Sequence, residues 1–105
     1  MPAGTPADIV GIGIPELEIP GFSMGHISPN PISGEGFINF NASRPLSVEI
    51  TISNKSGQTI FEKGIIGDEG YNKVLINASE WSSGLYFMKA TVDGNSITRK
   101  FIVQH

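Results

Sequence analysis

Polar and apolar residues alternate strictly in "LSVEITIS": Leu46, Val48, Ile50 and Ile52 fall on one side, Ser47, Glu49, Thr51 and Ser53 on the other. A period of two is that of a strand with one face buried. "FINFNA" repeats the pattern with Ile38, Phe40 and Ala42 inward against Asn39 and Asn41, and Pro45 ends that segment because it brings no ladder donor. In "NKSGQ", Asn54 opens a type I turn and Gly57 takes the left-handed conformation, so Gln58 to Lys63 is expected to return as a paired strand. Gly64, Gly67 and Gly70 then predict a loop, and Tyr71 to Ile76 a strand with Val74 and Ile76 on one side. "NASEWSSG" predicts a single helical turn, capped by Ser79, carrying Trp81 to the core and stopping at Gly84. "LYFMKATV" places Tyr86, Met88, Ala90 and Val92 on one strand face, Asp93-Gly94 supplies a two-residue hairpin turn with positive φ angles, and "SITRKFIV" is the closing strand.

Short strands punctuated by turns, with no long helix, predict an all-β fold: an Ig-like antiparallel β-sandwich of about seven short strands. Residues 1–25 have a different character. Pro15 and Pro20 interrupt them, Ile9, Ile12, Ile14, Leu17 and Ile19 are scattered between, and glycine is frequent. That composition predicts an extended linker with room for one short strand, and a domain over 26–105. Met1 followed by Pro2, Ala3, Gly4 and Thr5 reads as an expression start, so the chain is expected to be a segment of a longer protein.

Composition narrows the function. At 105 residues and 39% hydrophobic, the chain suffices for one compact domain, which at this size buries roughly 60–70% of its unfolded surface. A net charge of −3 over 16% charged residues gives no basic stripe for nucleic acid. With no cysteine, neither a disulfide framework nor a thiolate metal site can form. No apolar run approaches the roughly 18 residues of a membrane span, and the N-terminus lacks the basic and apolar regions of a secretory signal.

Candidate catalytic chemistry is sparse. His26 falls in the linker and His105 at the end, so neither is placed to polarise a serine or complete a metal site. Asp68-Glu69 and Asp93 with Asn95 fit turn chemistry better than calcium ligation. "GIGIPELEIPG" has glycines without the strand-to-helix context of a phosphate loop. Asn41, Asn54 and Asn77 each open an N-x-S triplet, a pattern frequent by chance. No catalytic residue, metal site or cofactor is expected, and no enzymatic activity.

Four motifs remain: Pro29-Asn30-Pro31; Asn54 with Gly57 and Gln58; Gly84 with Tyr86; and the terminal Lys100-Phe101-Ile102-Val103. In this order and at the end of the chain, they resemble the C-terminal sorting domain, type A, of the type IX (Por) secretion system of Gram-negative bacteria, over about Ile27 to the terminus. Ala78 and Trp81 depart from the pattern, which usually has a larger aliphatic residue at the first position and leucine at the second; the indole volume is expected to compensate. The resemblance implies a secretion signal at the C-terminus of a larger cargo protein. It implies passage through the periplasm to the cell surface or the medium, with an outer-membrane translocon, a shuttle protein and a cysteine sortase as partners. The sortase would cut upstream of Pro29 in "PGFSMGHI", where small side chains make Gly21, Ser23 and Gly25 the candidates. An exposed last strand would offer an edge to a receptor. The alternative function is a carbohydrate-binding or adhesive β-sandwich beside a secreted enzyme, with Trp81, Tyr71 and Tyr86 as its aromatic candidates.

Overall fold

The computed structural model describes residues 19–105. The scattered apolar residues Ile9, Ile12, Ile14 and Leu17, and most of the "GIGIPELEIPG" stretch, lie outside the described residues. Seven strands follow: β1 (Phe22–Met24), β2 (Glu35–Ala42), β3 (Leu46–Asn54), β4 (Thr59–Gly67), β5 (Gly70–Asn77), β6 (Gly84–Val92) and β7 (Asn95–Val103). They form two antiparallel sheets, β1-β2-β5 and β4-β3-β6-β7. An immunoglobulin constant-type sandwich keeps its fourth strand with the first, second and fifth. Here β4 pairs instead with β3 along the whole hairpin.

The inner faces are those the alternation predicts. Ile38, Phe40 and Ala42 of β2 and Val74 and Ile76 of β5 meet Leu46, Val48, Ile50 and Ile52 of β3 and Tyr86, Met88, Ala90 and Val92 of β6. Each fully buried Ile, Val or Phe side chain among them contributes roughly 1.5–3 kcal/mol by leaving water. Asp93 and Gly94 have φ angles of 53° and 80°, so the β6–β7 hairpin closes through the two positive-φ residues expected of it.

Two local expectations are corrected. Gly64 and Gly67 do not lie in a loop, because β4 runs on to Gly67. The Asn72 side chain makes this economy workable. Its Oδ1 accepts the Asp68 amide at 2.9 Å and its Nδ2 donates to the carbonyls of Asp68 and Gly70, so the β4–β5 turn needs no longer loop. Gly67 is a packing position: a Cβ there would lie 2.6 Å from the Phe40 ring.

The second correction concerns residues 78–83, which form turns and no helix. Ser79 caps nothing. Its amide donates to Asn77 Oδ1 at 3.0 Å, and the Trp81 amide closes a turn on the Ala78 carbonyl at 3.0 Å. Asn77 captures the backbone first, a local competition in which short polar side chains draw the chain away from helix. Trp81 nevertheless packs on the core, 5.6 Å from Tyr86 and 6.4 Å from Phe61 between ring centroids.

Candidate functional site

One end of the four-stranded sheet, where β3 ends, β6 begins and β7 ends, gathers the four sequence motifs. At the close of β3, the Asn54 side chain organises the hairpin turn. Its Oδ1 accepts the amides of Ser56 and Gln58, each at 3.0 Å, and its Nδ2 donates to Gln58 Oε1 at 3.2 Å. The Gly57 amide donates to the Asn54 carbonyl, with Gly57 at φ 88° as expected. The Asn-x-x-Gly-Gln motif is therefore a self-contained turn.

Asn54 stands opposite Tyr86 on β6. Tyr86 is buried, stacked on Phe101 at 5.8 Å and 23°, and its hydroxyl donates to the Ser82 carbonyl at 2.7 Å. That bond satisfies the polar tip of a ring otherwise in the core. Gly84, two residues earlier, opens β6 at φ 152°, a backbone region open mainly to glycine, and faces Val103. Between the 54–58 turn and the 80–86 segment lies an open groove of about 420 Å³, lined by Asn54, Gln58, Ile60, Trp81, Leu85 and Tyr86 among others.

Pro29-Asn30-Pro31 is where the chain changes sheets. Ser28 exchanges both backbone hydrogen bonds with Phe37 of β2, each 2.9 Å. Two residues later Asn30 Oδ1 accepts the Ile102 amide at 3.0 Å, and Ile32 donates to the Ile102 carbonyl and accepts the Gln104 amide. Ile32 thus runs parallel to the end of β7, bridging Val103. Positions 29 and 31 hold no backbone donor to leave unpaired at the crossing, which suits proline there. Both X-Pro bonds, Ser28–Pro29 and Asn30–Pro31, are cis.

The edge expected to be open on the terminal strand is therefore occupied from Ile102 to Gln104. In β7, Phe101 and Val103 point into the core, whereas Lys100 and Ile102 face solvent. Ile32 and Arg99 were not singled out by the motifs. Arg99 lies in the inward register of Ile97, Phe101 and Val103, and its Nη2 donates to the Met24 carbonyl at 2.8 Å. A cation at an apolar position of an alternating strand was the available signal.

Gly21, Ser23 and Gly25 lie in or beside β1. Ser23 pairs with Asn41, the Gly21 carbonyl accepts the Ser43 amide, and the Gly25 amide donates to the Asn39 carbonyl. Ile19, Phe22 and Met24 are buried, with the Phe22 and Phe40 rings 5.3 Å apart. The one short strand for which residues 1–25 left room is β1, paired with β2 over Phe22–Met24.

Among the described residues no cluster of three or more His, Asp or Glu could hold a metal. His105 Nε2 lies 2.7 Å from the Trp81 carbonyl. Asp93 pairs with Arg44 at 3.0 Å on the surface. The aromatic candidates for sugar stacking do not share a face. Tyr86 is buried, Trp81 packs against it, and Tyr71 is exposed on β5 of the other sheet.

Against this geometry, residues 26–104 match the family model of the secretion system C-terminal sorting domain. The chain belongs to this family. The matched span runs from just after β1 to the residue following β7 and includes all four motifs. The chain accordingly carries a type IX secretion signal, which implies a cargo chain exported to the cell surface or the medium. The family is one of secretion signals and not of catalysts. No helix among the described residues of the sorting domain is long and apolar enough to cross a membrane. No curated protein matches the chain.

Proposed function

We propose that this domain is recognised by the type IX translocon and its shuttle as a folded β-sandwich, after transit through the periplasm, and is cut from its cargo upstream of Pro29 by the system's sortase. One observation carries the reading. Asn30 and Ile102, 72 positions apart, are joined by a hydrogen bond, and Tyr86 stacks on Phe101, so the motif end exists as a surface only when the sandwich is folded. A linear reader would have no need of that assembly.

Cleavage near Gly21, Ser23 or Gly25 requires an extended, accessible backbone. Because β1 holds that backbone in the sheet, this step needs β1 to leave β2 locally, at the low-stability end of the structure. The domain itself supplies no catalytic group in this reading, and the chemistry belongs to the sortase.

The test is a periplasm-targeted fluorescent protein fused to residues 1–105, expressed in hosts with and without a working type IX system. Surface or medium fluorescence that depends on the system, with loss of the domain's mass, is the expected result. A companion fusion carrying the core-disrupting Ile50→Asp should remain in the periplasm. Its normal export would sink recognition of the fold, and periplasmic retention of the folded parent in both hosts would sink the sorting role.

A further inference from the structure

Most motif residues are accounted for by the fold: Asn30, Asn54, Gln58 and Tyr86 by their hydrogen bonds, Phe101 and Val103 by burial. Lys100 and Ile102 are not. They face outward on the last strand, and their surroundings form a distinctive surface.

On the outer face of the four-stranded sheet, Ile102 stands opposite Leu85, Lys100 opposite Phe87, and Thr98 opposite Lys89. Phe87 is 36% exposed and Ile102 40%. The outward positions of β6 and β7 carry Lys89 and Lys100 and no Asp or Glu, in a chain whose net charge is −3. The acidic residues of this face lie on the other two strands, Glu49 of β3 and Glu62 of β4. Lys89 and Glu62 flank Thr51 across three strands, about 10 Å apart along the sheet at the usual strand spacing. Among the described residues neither Lys89 nor Lys100 is in an ion pair.

Resting on the sorting role proposed above, we propose that the β6–β7 half of this face docks an acidic segment of the domain's receptor protein, with Phe87 and Ile102 as apolar anchors and Lys89 and Lys100 as the charges that orient it. Complementary charge sets register and encounter rate at such surfaces, while partly buried apolar side chains supply affinity. The other exposed apolar surface is less suited. On the three-stranded sheet Leu75 and Tyr71 are exposed, but the neighbouring Lys73 already covers the Phe37 ring at 4.2 Å, and Ile66, exposed on β4 opposite Ser47, stands alone in the half of the face that carries Glu49 and Glu62. A lipid surface is disfavoured too, since two lysines and half-covered apolar groups on a flat sheet offer no protruding side chain to insert.

The experiment uses the same full-chain fusion. Lys89→Glu/Lys100→Glu should lower type IX-dependent export about tenfold or more, as reversed charges at an interface do, while Lys89→Arg/Lys100→Arg retains it. Phe87→Thr/Ile102→Thr should also lose export, and Leu75→Thr/Tyr71→Thr on the opposite sheet should not. Thermal melting of each purified variant identifies any that fails to fold. Wild-type export with normal export of the folded charge-reversed variant overturns the docking surface and leaves the sorting role intact. Equal loss in the Leu75/Tyr71 variant also overturns it. Wild-type chain that binds phosphatidylethanolamine vesicles containing phosphatidylglycerol, but not when charge-reversed, assigns the surface to lipid instead. Absence of type IX-dependent export in the wild type removes both proposals together.

Discussion

Asn30 Oδ1 accepts the Ile102 amide at 3.0 Å, so a side chain completes the edge of the last strand where a proline-flanked backbone turns away. This bond and the two backbone bonds of Ile32 clasp the C-terminus to the segment that joins the sheets. Asn30→Ala should cost about 0.5–1 kcal/mol, because the Ile102 amide loses its acceptor at an exposed site where water replaces part of the bond. Hydrogen exchange should accelerate at Ile102 and Gln104, while the inward-bonded Phe101 amide slows or accelerates only with global stability. Asn30→Asp keeps the acceptor and should keep most of the protection. Unchanged exchange at Ile102 in the alanine variant would show that Ile32 alone holds the strand.

The Asn54 turn makes a sharper local prediction. One carboxamide accepts two backbone amides and donates to Gln58 Oε1, so Asn54→Ala removes three bonds whereas Gln58→Ala removes only the last. The first should lower stability by about 1–3 kcal/mol and the second by under about 1, given that the groups are exposed and water replaces part of the loss. Urea melts of both variants with Trp81 fluorescence, the indole lying close by against Tyr86, would measure the difference. Equal costs would mean that the backbone turn stands without its side chain.

Two glycines separate crowding from backbone conformation. A Cβ on Gly36 would lie 2.7 Å from both the Ser28 carbonyl oxygen and Ile32 Cδ1. At Gly57 nothing lies within 4 Å, but φ is +88°. Gly57→Ala should therefore cost about 1–2 kcal/mol from the left-handed backbone alone. Gly36→Ala pushes on backbone at the sheet crossing, where overpacking costs about 1–3 kcal/mol or more. It should also loosen the Ile32 clasp, seen as faster exchange at Gln104, which Gly57→Ala leaves unchanged.

How much of this was legible in sequence depended on range. Strict alternation located the inner faces of β2, β3 and β6, because a period of two is a local property with one structural solution. Asp93-Gly94 and Asn54 to Gly57 were legible for the same reason, since positive φ angles and short polar side chains act within a few residues. The β4–β5 turn was misjudged because glycine spacing suggested a loop, while the feature that shortens it is Asn72, reaching back four residues to Asp68. At Ser79 two local capping schemes competed, and Asn77 prevailed. Pro29-Asn30-Pro31 stood out in sequence, but its role depends on Ile102, and no local rule names a partner 72 positions away. Lys100 and Ile102 were visible as a terminal motif, whereas the separation of charge across the outer face emerged only with strand order.

Arg99 supplies the last prediction, because it ties the first described strand to the last. Its Nη2 donates to the Met24 carbonyl at 2.8 Å from an inward position on β7, joining the strand at one end of the three-stranded sheet to the strand at one end of the four-stranded sheet. Strand β1 is short, pairing over Phe22–Met24 with the Gly25 amide on the Asn39 carbonyl beyond it, so this charge-assisted bond adds a tie from the other sheet to the end of β1. Arg99→Met keeps an apolar stem in place and removes the donor. Subtilisin should then cut within residues 20–26 several-fold faster than in the wild type, with the 26–105 body still resistant, since local opening of a short edge strand precedes global unfolding. Arg99→Lys, which can still place one donor near the carbonyl, should fall between the two. Type IX hosts add a second readout: if cleavage of the exported fusion is limited by release of β1, the methionine variant should be processed faster at an unchanged bond. Wild-type cutting rates in the methionine variant, with its melting temperature also unchanged, would mean that burial of Phe22 and Met24 holds β1 without help from Arg99.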